Sequence, residues 1–149
     1  MTSLDDRRRR PALMAAITGA DGALQGVQAT LLASHGEAKA NVETPRRVIG
    51  ELLGGEVRLA DAANVLAIGE GVETMLSASF SLGLPAWAAL TAYNLSLFTP
   101  PPQVSELVVA ADNDAAGLAA ADSLRQRLAI RVTLRLPQMA RRIGMTGRA

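Results

Sequence analysis

The rhythm of apolar and polar positions changes near residue 65. Upstream it is irregular. Downstream, short continuous apolar runs alternate with longer Ala- and Leu-rich stretches, and the changes fall at glycines, prolines and acids. Continuous runs such as Val65-Leu66-Ala67-Ile68 and Leu107-Val108-Val109-Ala110 have strand length and suit strands buried on both faces. The pattern predicts strands over 65–69, 86–90, 106–111 and 130–136, with Pro85 tolerated just before the second. It predicts a helix over 72–82 stopped by Gly83, a helical turn over 93–98 halted by Pro100-Pro101-Pro102, and a helix over 115–128. Strands alternating with helices imply an α/β fold, a mostly parallel sheet with helices on both faces.

The first sixty residues follow another logic. Apolar-rich Pro11–Thr18 and Ala23–Leu32 flank Gly19-Ala20-Asp21-Gly22, and an Asp-Gly pair between two such segments predicts a β-hairpin. Ser34-His35-Gly36-Glu37 reads as a turn, with the lone histidine solvated. Val48–Leu53 is expected as a short helix or turn stopped by Gly54-Gly55, and Val57-Arg58-Leu59 as one short strand. The chain thus divides into a flexible basic N-terminus over 1–10, a β-hairpin segment over 11–60, an α/β domain over 61–137 and an atypical tail over 138–149.

Chemistry gathers where two of the apolar runs end. Glu70 stands between Gly69 and Gly71 at a strand-to-helix junction, and Asp112-Asn113-Asp114 follows the run at 107–111. In open α/β sheets, ligands bind at the carboxyl ends of strands. If these two strands are neighbours, Glu70, Asp112 and Asp114 converge. Two carboxylates about 4 Å apart repel by roughly 4 kcal/mol at an effective dielectric near 20. A bound cation relieves that repulsion, and oxygen ligands suit Mg²⁺. Each acid also has a plainer role. Glu70 can stabilise a helix N-terminus electrostatically, and Asp114 can cap the helix it precedes. Glu73 is expected mainly as a dipole-favourable residue of the first turn, Thr74 and Ser77 as helix-face residues, and Trp87 as core.

Composition narrows the choices. Hydrophobic residues make up 49% of the chain and aromatics only 3%, so a stacking platform for single-stranded bases is not expected. There is no cysteine, which excludes a disulfide framework and a cysteine zinc ribbon. The formal net charge of +1 says nothing by itself about nucleic acid. With no leader-like segment or apolar run of spanning length, a cytoplasmic protein without membrane association is expected.

The pair Gly69-Glu70-Gly71-Val72-Glu73-Thr74 and Asp112-Asn113-Asp114-Ala115-Ala116-Gly117, with Gly83-Leu84-Pro85-Ala86-Trp87-Ala88 between, resembles the Toprim domain. The similarity is to the primase-like branch of plasmids, phages and other mobile elements, and it covers about residues 45–137. Topoisomerases of the family carry a glutamate where this chain has Ala116. The resemblance implies a Rossmann-like Toprim fold. It also implies Mg²⁺-dependent nucleotidyl or phosphoryl transfer on DNA or RNA, namely primer synthesis in DNA replication, with Mn²⁺ as a substitute metal. Glu70 would be the general acid or base, and Glu70, Asp112 and Asp114 the metal site. Lys39, Arg46 and Arg47 would face nucleic acid, although a salt-bridged surface turn explains them equally well. Nucleotide triphosphates and a helicase or other replication protein are the implied partners. Alternatives are a Toprim nuclease using the same acids and a catalytically silent truncated remnant or binding module, so activity of the chain alone stays open.

Relatives carry an acidic Gly-Lys-Asp-Trp-Asn-Asp-like motif after the last strand, whereas Gln138–Thr146 contains no acid. Permissive codons for Arg142-Ile143-Gly144-Met145-Thr146 spell Asp-Trp-Asn-Asp in a shifted frame. A frameshift between about 137 and 142 is therefore a hypothesis that the gene sequence decides.

Overall fold

The structure is a computed structural model that describes residues 10–33 and 45–136. The chain forms two compact units, Met1–Gly55 and Glu56–Ala149. The break precedes the expected boundary after residue 60 because the short strand at Val57 pairs with the second sheet.

In the first unit, β1 (Ala12–Thr18), β2 (Leu24–Leu31) and β3 (Arg46–Gly50) form an antiparallel sheet in that order. The hairpin is the one the Asp-Gly turn predicts. Asp21 accepts the Ala23 amide at 3.0 Å, and the Gly19 amide reaches the Ala23 carbonyl at 2.9 Å. The third strand corrects the expectation of a helix or turn starting at Val48. Arg46–Gly50 pairs residue by residue with Gly26–Thr30, so tertiary pairing overrides a weak local pattern. Alternation across this sheet places Ala15, Ile17 and Thr30 on a buried face, and Met14, Ala16 and Ile49 on an exposed one.

In the second unit, β4 (Val57–Arg58), β5 (Val65–Gly69), β6 (Ala86–Ala88), β7 (Glu106–Ala110) and β8 (Arg131–Arg135) form one sheet in the order β4-β6-β5-β7-β8. β4 is an antiparallel edge strand; the other four are parallel. The helices α1 (Val72–Leu82), α2 (Ala92–Leu97) and α3 (Ala115–Arg127) fall within a residue or so of the predicted spans. One sheet face carries Leu66, Ile68, Trp87, Leu107 and Val109, packed against Leu95 and Phe98 of the α2 region and Ala120, Ala121 and Leu124 of α3. On the opposite face α1 buries Val72 and Met75 and packs on β5 and β6. Small residues there, Ala67, Gly69, Ala86 and Ala88, let the helix come close. A Cβ on Gly69 would come within 2.7 Å of the Ala110 carbonyl oxygen of the neighbouring strand, so only glycine fits. Trp87 is core, as expected. Its indole donates to the Ala60 carbonyl at 2.7 Å and stands edge-on to Phe98 at 6.0 Å.

Beside Trp87, the edge strand holds a partly buried ion pair. Arg58 donates from Nε and Nη2 to Oε1 of Glu56, at 3.0 and 2.8 Å, and its guanidinium lies 4.3 Å from the Trp87 ring centre. Glu56 is only 5% exposed. Burial pushes its carboxyl above the ordinary 4.5, and Arg58 works against that rise through a hydrogen bond and its charge.

Candidate active site and metal centre

Strand order fixes where a ligand belongs. The chain enters the parallel sheet at β5, moves outward to β6, then returns past β5 to β7 on its other side. The connections leaving β5 and β7 therefore diverge: α1 covers one face and α3 the other. The crevice between two such strand ends is the topological switch point, where open α/β sheets bind ligands. Gly69 of β5 is in register with Ala110 of β7, so Glu70 and Ala111-Asp112 follow immediately at neighbouring strand ends.

The two junctions differ in detail. After β5, Glu70 and Gly71 lead into α1, whose N-cap is Gly71 with no side-chain cap. Glu70 is half-buried, and its carbonyl accepts the Leu90 amide at 2.7 Å. Leu90 itself has φ 78°, a left-handed conformation that costs a β-carbon-bearing residue about 1–3 kcal/mol. The strained loop after β6 is thus tied to the backbone of the Glu70 junction. After β7, the chain turns at once, with the Asp114 amide on the Asp112 carbonyl at 2.8 Å. Asp114 is the N-cap of α3, and its Oδ1 accepts the Gly117 amide at 2.7 Å. Gly117 has to be glycine: a Cβ there would come within 2.8 Å of the Asp112 carbonyl and 3.1 Å of the Asp114 carboxylate.

β7 ends at Ala110, before the acids, and capping draws the Asp114 side chain onto α3. Among the described residues, no three of His, Cys, Asp and Glu form a group that could hold a metal ion. Glu70, Asp112 and Asp114 share one edge of the sheet without closing into a three-acid cage. The donor set still suits magnesium. Asp112 is exposed, and among the described residues its carboxylate makes no hydrogen bond or ion pair. Asp114 uses Oδ1 in the cap, leaving Oδ2 for a ligand. Mg²⁺ keeps several waters and needs only one or two carboxylates.

Other sequence candidates stand elsewhere. Arg46 and Arg47 lie in β3 on opposite faces, Arg46 in register with buried Thr30 and Arg47 exposed beside Ala29. The pair therefore presents one arginine to each face. Lys39, His35 and the tail with its frameshift hypothesis lie outside the described residues. Glu73 is in the first turn of α1, and Thr74 and Ser77 are exposed on the helix, as expected. Two features escaped the sequence reading. Leu90 has no local signal for a positive φ, and Arg135 comes to the site only through the register that pairs it with Ala110.

A parallel α/β domain with acids at its switch point is the class that fold and site define. The chain belongs to the Toprim domain family, whose model matches residues 65–141; residues 2–59 match a domain of unknown function (DUF7146). No curated protein matches the sequence. Among solved structures, the primase fragment of the bacteriophage T7 primase-helicase protein is similar at 15% identity and TM-score 0.59, over 81% of this chain and 51% of that one. A DNA primase domain from Pseudomonas aeruginosa is similar at 15% identity and TM-score 0.58, over 89% and 45%. The DnaG primase catalytic domain bound to ssDNA gives 19% identity and TM-score 0.58, over 89% and 47%. At such identities the likeness is one of fold, shared with primase catalytic cores. The chain spans about half the length of these primase structures. No helix among the described residues is long and apolar enough to cross a membrane.

Proposed function

We propose that this chain is the Toprim part of a primase-like protein that makes primers by Mg²⁺-dependent nucleotidyl transfer in the cytoplasm. The observation that carries the reading is the register of β5 with β7, which puts Glu70 and Asp112 at adjacent strand ends across the switch point. Primer synthesis joins a hydroxyl oxygen to the α-phosphorus of a nucleoside triphosphate, and the bond to pyrophosphate breaks. The hydroxyl proton has to leave as the new bond forms, and Glu70 is assigned as the base that takes it. Asp112 and the free oxygen of Asp114, with Glu70, would hold magnesium or manganese. When bound, the metal would stabilise charge on the attacked phosphate. The Gly71 junction keeps Glu70 out of side-chain capping, and the Leu90 contact fixes its backbone.

DNA or RNA and nucleoside triphosphates are the corresponding substrates. A helicase or other replication protein is the corresponding partner, in line with the primase-helicase from T7. Arg47, exposed on β3, and Lys39 are assigned to nucleic acid, with Arg46 supporting the same strand from its other face. A second reading, a Toprim module that binds nucleic acid without turnover, draws on the lack of a three-acid group among the described residues and on the use of Asp114 as a cap.

The test is incorporation of labelled nucleotides on a single-stranded template with Mg²⁺ or Mn²⁺. Short template-dependent products that disappear in Glu70→Gln are expected. Binding of template without any product, with either metal, would overturn the enzymatic reading in favour of the second.

A further inference from the structure

The sheet face under α1 is only half covered. α1 packs mainly on β5 and β6, and the β8 positions of that face, Arg131, Thr133 and Arg135, are exposed or half-buried. A groove of about 610 Å³ lies there, within the size range of small-ligand sites. One wall is α1, through Thr74, Ser77 and Ser81, which share a helical face at spacings of three and four. Ala110 contributes to the bed, Asp112 stands on one rim and Arg135 on the other. Arg135 is held in place by its backbone: it is in register with Ala110, and its carbonyl accepts the Ala111 amide at 3.2 Å.

The polar groups of this groove are mostly unengaged. Arg135 is exposed, and its guanidinium has no ion pair or hydrogen bond among the described residues, not even with Asp112 in the same groove. The Thr74 and Ser77 hydroxyls are likewise without hydrogen bonds among the described residues, and Ser81 donates only a long 3.3 Å bond to its own helix. Alternation along β8 puts Arg131 on the same face, four residues before Arg135. A planar guanidinium facing hydroxyl donors across a small-residue bed is suited to a phosphate, which accepts from both.

We propose that Arg135, with Thr74 and Ser77, forms a phosphate-binding site directly beside the Asp112 rim of the catalytic crevice. The site deepens the proposed function, on which its biological meaning rests, by naming where the substrate's phosphate is gripped. The phosphate belongs either to the polyphosphate of a nucleotide or to the phosphodiester backbone of a strand. Both present the same chemistry to Arg135.

Binding separates these sources without turnover. The full chain is titrated in EDTA with inorganic tripolyphosphate by calorimetry, and with a fluorescein-labelled oligothymidylate by anisotropy. Wild type, Arg135→Ala, Arg135→Lys and Thr74→Ala/Ser77→Ala are compared, and thermal melting checks that each is folded. Loss of one charge-assisted contact should weaken binding by about tenfold or more in Arg135→Ala, with a smaller loss in Arg135→Lys. The hydroxyl double variant should lose severalfold. Weakening toward tripolyphosphate identifies a nucleotide's phosphates; weakening toward the oligonucleotide alone identifies a strand. If a folded Arg135→Ala binds both probes as wild type does, or wild type binds neither, the site does not exist. A chain that binds through Arg135 yet makes no product fails only the catalytic reading. A chain that makes primers with unaltered Arg135→Ala binding fails only this one.

Discussion

The β5–α1 and β7–α3 junctions look alike in sequence, an apolar strand that ends in acid and runs into a helix, yet the structure uses the acids differently. At β7–α3 the acid in the cap position, Asp114, satisfies an amide of the helix. At β5–α1 the cap position is Gly71, and the acid stands one residue earlier, outside the helix. One residue of offset separates a carboxylate used as the helix cap from one that stands outside the cap. Asp112, two residues before its helix cap, likewise stands outside it.

The largest effect should come from the offset acid. Glu70→Gln keeps the shape and removes the base, so turnover should fall about 10²–10⁴-fold with melting little changed. Nucleotide incorporation beside a melting curve measures both. If the variant turns over like wild type, the two junctions are structural alike and the contrast collapses.

The second effect isolates the metal from the cap. Asparagine is as good an N-cap as aspartate, so Asp112→Asn/Asp114→Asn removes two charges and keeps the Gly117 contact available. Calorimetry should find Mg²⁺ and Mn²⁺ binding abolished in a folded protein. Unchanged affinity would take the metal away from these residues.

A third substitution tests the cap alone. Asp114→Ala loses the hydrogen bond to Gly117 and should cost about 1 kcal/mol in urea unfolding, the usual scale for an N-cap. No loss would mean that α3 does not depend on its acid.

The smallest effect lies at the sheet edge, where a buried acid, Glu56, serves neither purpose. Burial raises the pKa of Glu56 in the folded state above its unfolded value near 4.5. The folded chain then holds the proton more tightly, so this group's contribution is full below about 4.5 and declines as pH rises through the folded value. Glu56→Gln does not titrate. The melting temperature of the variant relative to wild type should therefore climb across that window and level off above it. A difference independent of pH would mean that Arg58 cancels the burial.

The sequence made the second sheet legible because its apolar runs stop at residues with few other uses, Gly69 and Gly71 around Glu70 and the Asp112–Asp114 group. It hid β3, since Arg46-Arg47-Val48-Ile49 has no clean alternation and becomes a strand only by pairing with β2. The three acids, their convergence at neighbouring strand ends and Asp114 as a cap were all visible. The turn after Ala111 was not, because it depends on Asp114 folding onto Gly117 rather than on strand periodicity. Arg135 stayed hidden for a related reason: an arginine ending an apolar strand is ordinary until the register with Ala110 is known.

The left-handed Leu90 has a consequence for motion. Its amide and that of Ala89 bond to the Glu70 and Gly69 carbonyls, each at 2.7 Å, extending the sheet one step past β6. A conformation held against its own backbone preference, with φ at 78°, is stable only while those two bonds last. Opening of this loop therefore releases strain as it breaks bonds, which lowers the free energy of local opening relative to the strands it adjoins. In amide exchange with deuterated solvent, Ala89 and Leu90 become the first reporters of a crevice that loosens while β5 and β7 remain closed.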